Sequence, residues 1–204
     1  IGIWELGTSF LKFLITSEVK SEIIDVPLKI KNFELEALKT KQLLDEGILE
    51  LPSSVGISDS EISKKTDEIL NIANSSFVAD KRDIKIMDSG ESSCLALGGI
   101  LNERKINNLI VIDERTARSL VENSEGLRNF LEKKLHVKIF MKKEKLNLFK
   151  NFKIIRSAEL VYIAYKKGFV DIKDKNVLDA LLYAVKFKGA AISGEEIEEI
   201  KKLA

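Results

Sequence analysis

Polar and apolar residues along this chain change period several times, and each change predicts an element. Residues 1–8 (IGIWELGT) read as a short buried strand running into a turn at Gly7, and Ser9 to Lys20 follow with helical spacing. Residues 33–46 form a helical pattern ended by Gly47, with a short strand (ILEL) closed by Pro52 after it. Ser58-x-x-Glu61 has the pattern of a capping box and opens a helix that would bury Ile62, Ile69 and Ala73. Asp88-x-x-Glu91 opens another, with Leu95, Ala96 and Ile100 available for packing. The run from Leu109 to Asp113 (LIVID) is nearly all apolar, as expected of a parallel strand buried on both faces, and a helix follows from Glu114 to about Asn123. Residues 137–141 predict a further strand. Helices are predicted over Ala158–Lys167 and Lys175–Lys186, and after Ser193, which has Glu196 three residues on.

Strands alternating with helices predict an α/β fold, a parallel central sheet flanked by helices, in one domain spanning 1–204. No internal repeat or low-complexity linker interrupts it.

Composition narrows the chemistry. Lys and Arg number 33 against 32 Asp and Glu, so the formal charge of +1 neither favours nor excludes a nucleic-acid partner. One cysteine, Cys94, excludes an internal disulfide and argues against a cysteine-based zinc site, which predicts a reducing, cytoplasmic setting. No apolar stretch reaches the length of a membrane span, so no membrane partner is expected. The single histidine, His136, argues against Ser-His-Asp or Cys-His catalysis and is expected in a surface or structural role. Cys94 is expected to pack as a small hydrophobe. Neither GxxxxGK[ST] nor GxGxxG occurs. Any chemistry therefore falls to carboxylates.

Hard cations such as Mg²⁺ and Mn²⁺ take oxygen ligands, and open α/β sheets bind ligands beyond the carboxyl ends of their strands. Asp113, ending LIVI before a helix with Glu114 beside it, stands at such a point. It is explained equally well as the N-cap of that helix. Glu91 is likewise explained by its capping box.

The segment from Gly90-Glu91 to Leu97, followed by LIVIDERTAR (109–118), resembles the paired motif of archaeal and bacterial PIN-like proteins. In that family a Gly-Glu opens a helix of small residues. A hydrophobic strand then ends in two acids, a basic residue and Ala-Arg, here Asp113, Glu114, Arg115, Ala117 and Arg118. Residues 157–170 and 178–182 are similar to the family's C-terminal helices. At the N-terminus the family carries Asp-Thr-Ser where this chain has Gly7-Thr8-Ser9, so glycine replaces the first acid. Glu5 is the substitute within reach, and Glu36, with Glu34 as the alternative, matches the family's second acid.

The resemblance implies a metal-dependent endoribonuclease with Mg²⁺ or Mn²⁺ as cofactor. Its catalytic residues would be Glu91, Asp113 and Glu36, and its metal ligands Glu91, Asp113, Glu114, Glu36 and Glu5. RNA would be the substrate, with Thr8, Ser9, Arg115 and Arg118 contributing to its binding. A homodimer formed through helices and an antitoxin-like protein partner are also implied. Gly7 keeps a second reading open, a degenerate relative that binds RNA or a protein without cutting.

Between Lys133 and Lys153, eight lysines face one acid, Glu144, with Phe140, Phe149 and Phe152 interleaved. This part of 124–156 reads as an insertion. Its Lys142, Lys143 and Lys145 are expected on RNA phosphates, with the aromatics stacking on bases or else forming core.

Overall fold

The computed structural model describes residues 5–6 and 9–203. Within them the chain folds as a helix-rich α/β mixture whose short strands pair in small parallel and antiparallel sheets. Strands β1 (Glu5–Leu6) and β2 (Ser9–Phe10) form an antiparallel pair. Strand β3 (Phe13–Leu14) enters α1 (Ser17–Lys20), which Thr16 caps by accepting the Val19 N–H. The helical expectation for 9–15 therefore fails. Ile15 N–H donates to the Glu50 carbonyl, and β3 pairs in parallel with β4 (Leu49–Glu50), so a partner distant in sequence overrides local periodicity.

After α1 the chain widens into a π-helical turn over Ser21–Asp25, with Val26 N–H reaching back to the Ser21 carbonyl. Such turns are rare and recur at functional sites. Helix α2 (Glu34–Asp45) ends where Gly47 takes a positive φ of 69°. Helix α3 (Asp59–Asn74) is capped by Ser58 and buries Ile62, Thr66, Ile69 and Ala73. It packs on α4 (Ser89–Glu103), whose Leu95, Ala96 and Ile100 lie in the main core. Asp88 occupies the N-cap of α4 without a side-chain cap bond, so the second capping box does not form. Asp88 pairs with Lys85 instead.

Between α3 and α4 runs the hairpin of β5 (Phe77–Ala79) and β6 (Arg82–Asp83). Strand β7 (Ile110–Val111) leads into α5 (Arg115–Glu122), followed by α6 (Ser124–Leu135) and β8 (Phe140–Met141), the third strand of the β6–β5–β8 sheet. A 3₁₀ stretch over Lys143–Asn151 leads to β9 (Ile154–Ile155), parallel to β7. Helices α7 (Ser157–Lys166), α8 (Val177–Phe187) and α9 (Gly194–Lys202) gather around a second apolar cluster that includes Ala158, Leu182 and Ile197. Ser193 and Glu196 form the expected capping box.

One sequence expectation changes here. LIVID is not buried on both faces: Ile110 and Ile112 are buried, but Leu109 and Val111 are about half exposed, the alternation of a strand with one covered face. The lysine-rich segment supplies β8 and β9, and Leu146 and Phe149 sit in the main core.

Candidate functional site

Both parallel strand pairs lie beside α4, β7 against its middle and the chain after β3 against its first turn. Gly98 of α4 lies against Ile110, so close that a methyl group there would come within 2.5 Å of Ile110 Cδ1. The short connection 104–109 reverses the chain between them. Seven residues back along the helix, Glu91 stands about 10 Å from that contact. Asp113 follows two residues past the end of β7. Thr16, just past the carboxyl end of β3, hydrogen-bonds Ser93 of α4 through their hydroxyls at 2.7 Å, in a fully buried contact. The chain just past β3 thus packs against the first turn of α4.

At this end Glu91 meets an acid that the sequence motifs did not single out. The Glu22 carboxylate, on the π-helical turn, lies so close to Gly90 that a Cβ there would meet its oxygens at 2.7 and 2.8 Å. The missing side chain of Gly90 makes the approach possible. Burial raises the Glu22 pKa above the ordinary carboxylate value, and the neighbouring Glu91, Asp88 and Glu18 charges raise it further. Glu91 Oε2 is buried and has no hydrogen-bond partner among the described residues. Behind them the Cys94 thiol is pushed up to about 12 by burial and by Glu91, Glu22 and Glu18. A thiol so poised is no nucleophile, in keeping with its packing role.

The other proposed site residues divide clearly. Asp113 Oδ1 accepts the Ser157 N–H at 2.9 Å, joining the end of β7 to the start of α7, so it does not cap its own helix. Glu114 does that, accepting the Ala117 N–H at 2.6 Å. Glu36 is exposed on α2 and pairs with Lys39, while Glu34 pairs with Lys31. Thr8 lies outside the described residues, as do the side chains of Glu5 and Ser9. Among the described residues no group of three or more His, Cys, Asp or Glu is arranged to hold a metal ion.

Arg115 stacks over the Phe130 ring at 4.7 Å. Arg118 pairs with Glu122 at 3.4 Å and keeps Nη1 buried without a hydrogen-bond partner among the described residues. Lys142 pairs with Asp83, Lys143 with Glu125, and Lys145 donates to the Ser75 hydroxyl. All three are thus partly engaged within the protein. Of the three phenylalanines, Phe149 is core, Phe152 packs against the core and Phe140 is 64% exposed.

A cavity of about 340 Å³ lies beside β9, lined by Arg118, Glu122, Arg156, Glu159 and Glu196. Its polar groups are mostly committed to one another. Arg156 donates to Glu159 and to Glu196, tying α7 to α9, which gives this cluster a structural task. His136 ends α6 with a positive φ of 56°, a structural role as expected.

Among the described residues no helix is long and apolar enough to cross a membrane. Comparison of the chain with protein-family models, curated proteins and solved structures gives no match.

Proposed function

We propose that this chain is a PIN-like, metal-dependent nuclease acting on RNA, with its site at the start of α4. The observation that carries the reading is the Glu91 carboxylate, one oxygen buried and without a partner among the described residues, set beside the like-charged Glu22 where the chain leaving β3 meets α4. A pair of like charges held in this way is stabilised by a cation. The donor set suits Mg²⁺ or Mn²⁺, which are held by one or two carboxylates with water and substrate phosphate completing the shell. Glu91 and Glu22 would hold the ion.

In this reading Glu22 takes the place of the acid missing at Gly7, and of Glu36, which pairs with Lys39 instead. When bound, such a cation supplies Lewis acidity toward water and a phosphoryl oxygen. Asp113 commits one oxygen to the Ser157 N–H. The two parallel strand pairs support the layered α/β/α arrangement that the PIN-like resemblance implies. Exposed Val26, Phe33, Leu35 and Leu38 around α2 offer apolar surface to a second copy or an antitoxin-like protein. The degenerate reading, binding without cutting, rests on Gly7 alone.

Metal binding is tested by thermal unfolding with and without MnCl₂. The raised Glu22 pKa means that its ionised form is penalised in the folded state. That cost is present above the folded pKa and vanishes as pH falls below the unfolded value near 4.5. Glu22→Gln should therefore raise Tm at pH 7 without metal, by about 1–2 °C for roughly 0.5 kcal/mol after solvent screening. Mn²⁺ should raise the wild-type Tm by mass action, and Glu91→Gln should abolish that response. An unresponsive wild type, or an equal response in Glu91→Gln, would remove the metal from this site.

A further inference from the structure

The β6–β5–β8 sheet turns one face to the core and the other to solvent, and the register decides which residues go where. Phe77 pairs with Met141, and Phe77 is fully buried. Side chains alternate along a strand, so Val78 and its partner Phe140 point outward, as does Asp83 opposite Val78. Lys138 and Lys142, two residues either side of Phe140, share its side of the strand. Lys142 reaches across the outer face to Asp83 at 3.5 Å. Lys138 holds its ammonium 5.7 Å from the Phe140 ring centroid and makes no ion pair among the described residues. Phe140 is thus a 64% exposed ring on the last strand of its sheet, bracketed by two cations.

Two occupants compete for such a face. A second copy of the chain would pair along the free edge of β8, but lysines beside an edge strand oppose that pairing. A single-stranded nucleic acid suits it better: an unpaired base stacks on an aromatic ring while neighbouring cations take the flanking phosphates. The local charge favours a polyanion, with eight lysines and one acid from Lys133 to Lys153. The contact between Lys138 and the ring holds a phosphate partner beside the stacking surface before any ligand arrives.

We propose that the outer face of this sheet is a stacking subsite for an unpaired base of single-stranded nucleic acid, with Phe140 as platform and Lys138 and Lys142 on the adjoining phosphates. The proposal rests on the nucleic-acid part of the function given above and is independent of metal and of cleavage.

The test is binding of the full chain to a labelled single-stranded oligoadenylate RNA of about 12 nucleotides, and to the same strand in a duplex, in EDTA over a salt series. EDTA keeps binding separate from cutting. Phe140→Ala should weaken single-strand binding about 10-fold or more while leaving duplex binding and the melting temperature unchanged. Phe140→Trp should bind at least as tightly as wild type. Lys138→Ala should lower the single-strand salt slope by about 0.7. Unchanged single-strand affinity in Phe140→Ala overturns the subsite while leaving the nucleic-acid reading standing. Equal losses on single strand and duplex overturn it too, as does a change of oligomeric state in Phe140→Ala, which would make the face a contact between copies. A wild type that binds neither RNA sinks both the subsite and the nucleic-acid reading.

Discussion

Phe149→Ala is expected to lower the unfolding free energy by about 3–5 kcal/mol, the range for truncating a buried phenylalanine. Phe140→Ala, nine residues earlier in the same lysine-rich segment, is expected to change it by no more than about 0.5 kcal/mol. The Phe149 ring is fully buried in the main core with Leu146, and its centroid lies 6.4 Å from that of Phe152. Removing it leaves a cavity that the surrounding helices can close only in part. Urea unfolding of the two variants beside wild type measures both effects. Were the segment an accessory lip, both substitutions would be nearly silent and this description of the core would be wrong.

Arg156→Ala is the second large change, and pH gives it a signature. The Arg156 side chain is 14% exposed and bonds two glutamates at once. For Glu159, burial raises the pKa, and the Arg156 guanidinium and N–H more than reverse this, leaving it lowered. For Glu196, burial again raises it, and the Ser193 N–H and Arg156 bring it below the ordinary value. Carboxylates with lowered folded pKa values contribute stability that is present above the unfolded value near 4.5 and is lost as pH falls through the folded pKa. Glu159 and Glu196 are about a third and two-fifths exposed, so screening limits the loss at pH 7 to about 1–3 kcal/mol. Arg156→Ala should therefore destabilise at pH 7 and show a flatter decline of stability below pH 4.5 than wild type. Urea unfolding across that range checks it. Wild-type stability at pH 7, or an unaltered acid limb, would contradict the role given to Arg156.

Helix boundaries were legible in the sequence wherever the determining contact is local. Ser58 and Ser193 cap the helices that follow them, and Gly47 ends α2 with a positive φ. Contacts between distant segments were not legible. Residues 9–15 have helical spacing yet give strands, because Glu50 and Leu49 lie alongside. Asp113 reads equally as a metal ligand or as the N-cap of the next helix, and only the position of Ser157 shows that Glu114 takes the cap instead. Of the candidate site, Glu91 could be found from its Gly-Glu helix start. Glu22 could not, because what places it beside Gly90 is a π-helical turn with no sequence signature. The phenylalanines at 140 and 149 are equivalent in composition, and only strand register separates the exposed ring from the buried one.

The most direct test of the nuclease reading is cleavage of a mixed-sequence single-stranded RNA by the purified chain with Mn²⁺, beside a Glu91→Gln, Asp113→Asn double variant. Asparagine keeps the acceptor that Ser157 N–H needs, so the variant should fold, and a matching melting curve would establish that. The account predicts cutting by wild type that requires the metal and is lost in the variant. Cutting that persists without metal or in the variant would contradict the site, and RNA that stays intact with wild type would contradict the nuclease.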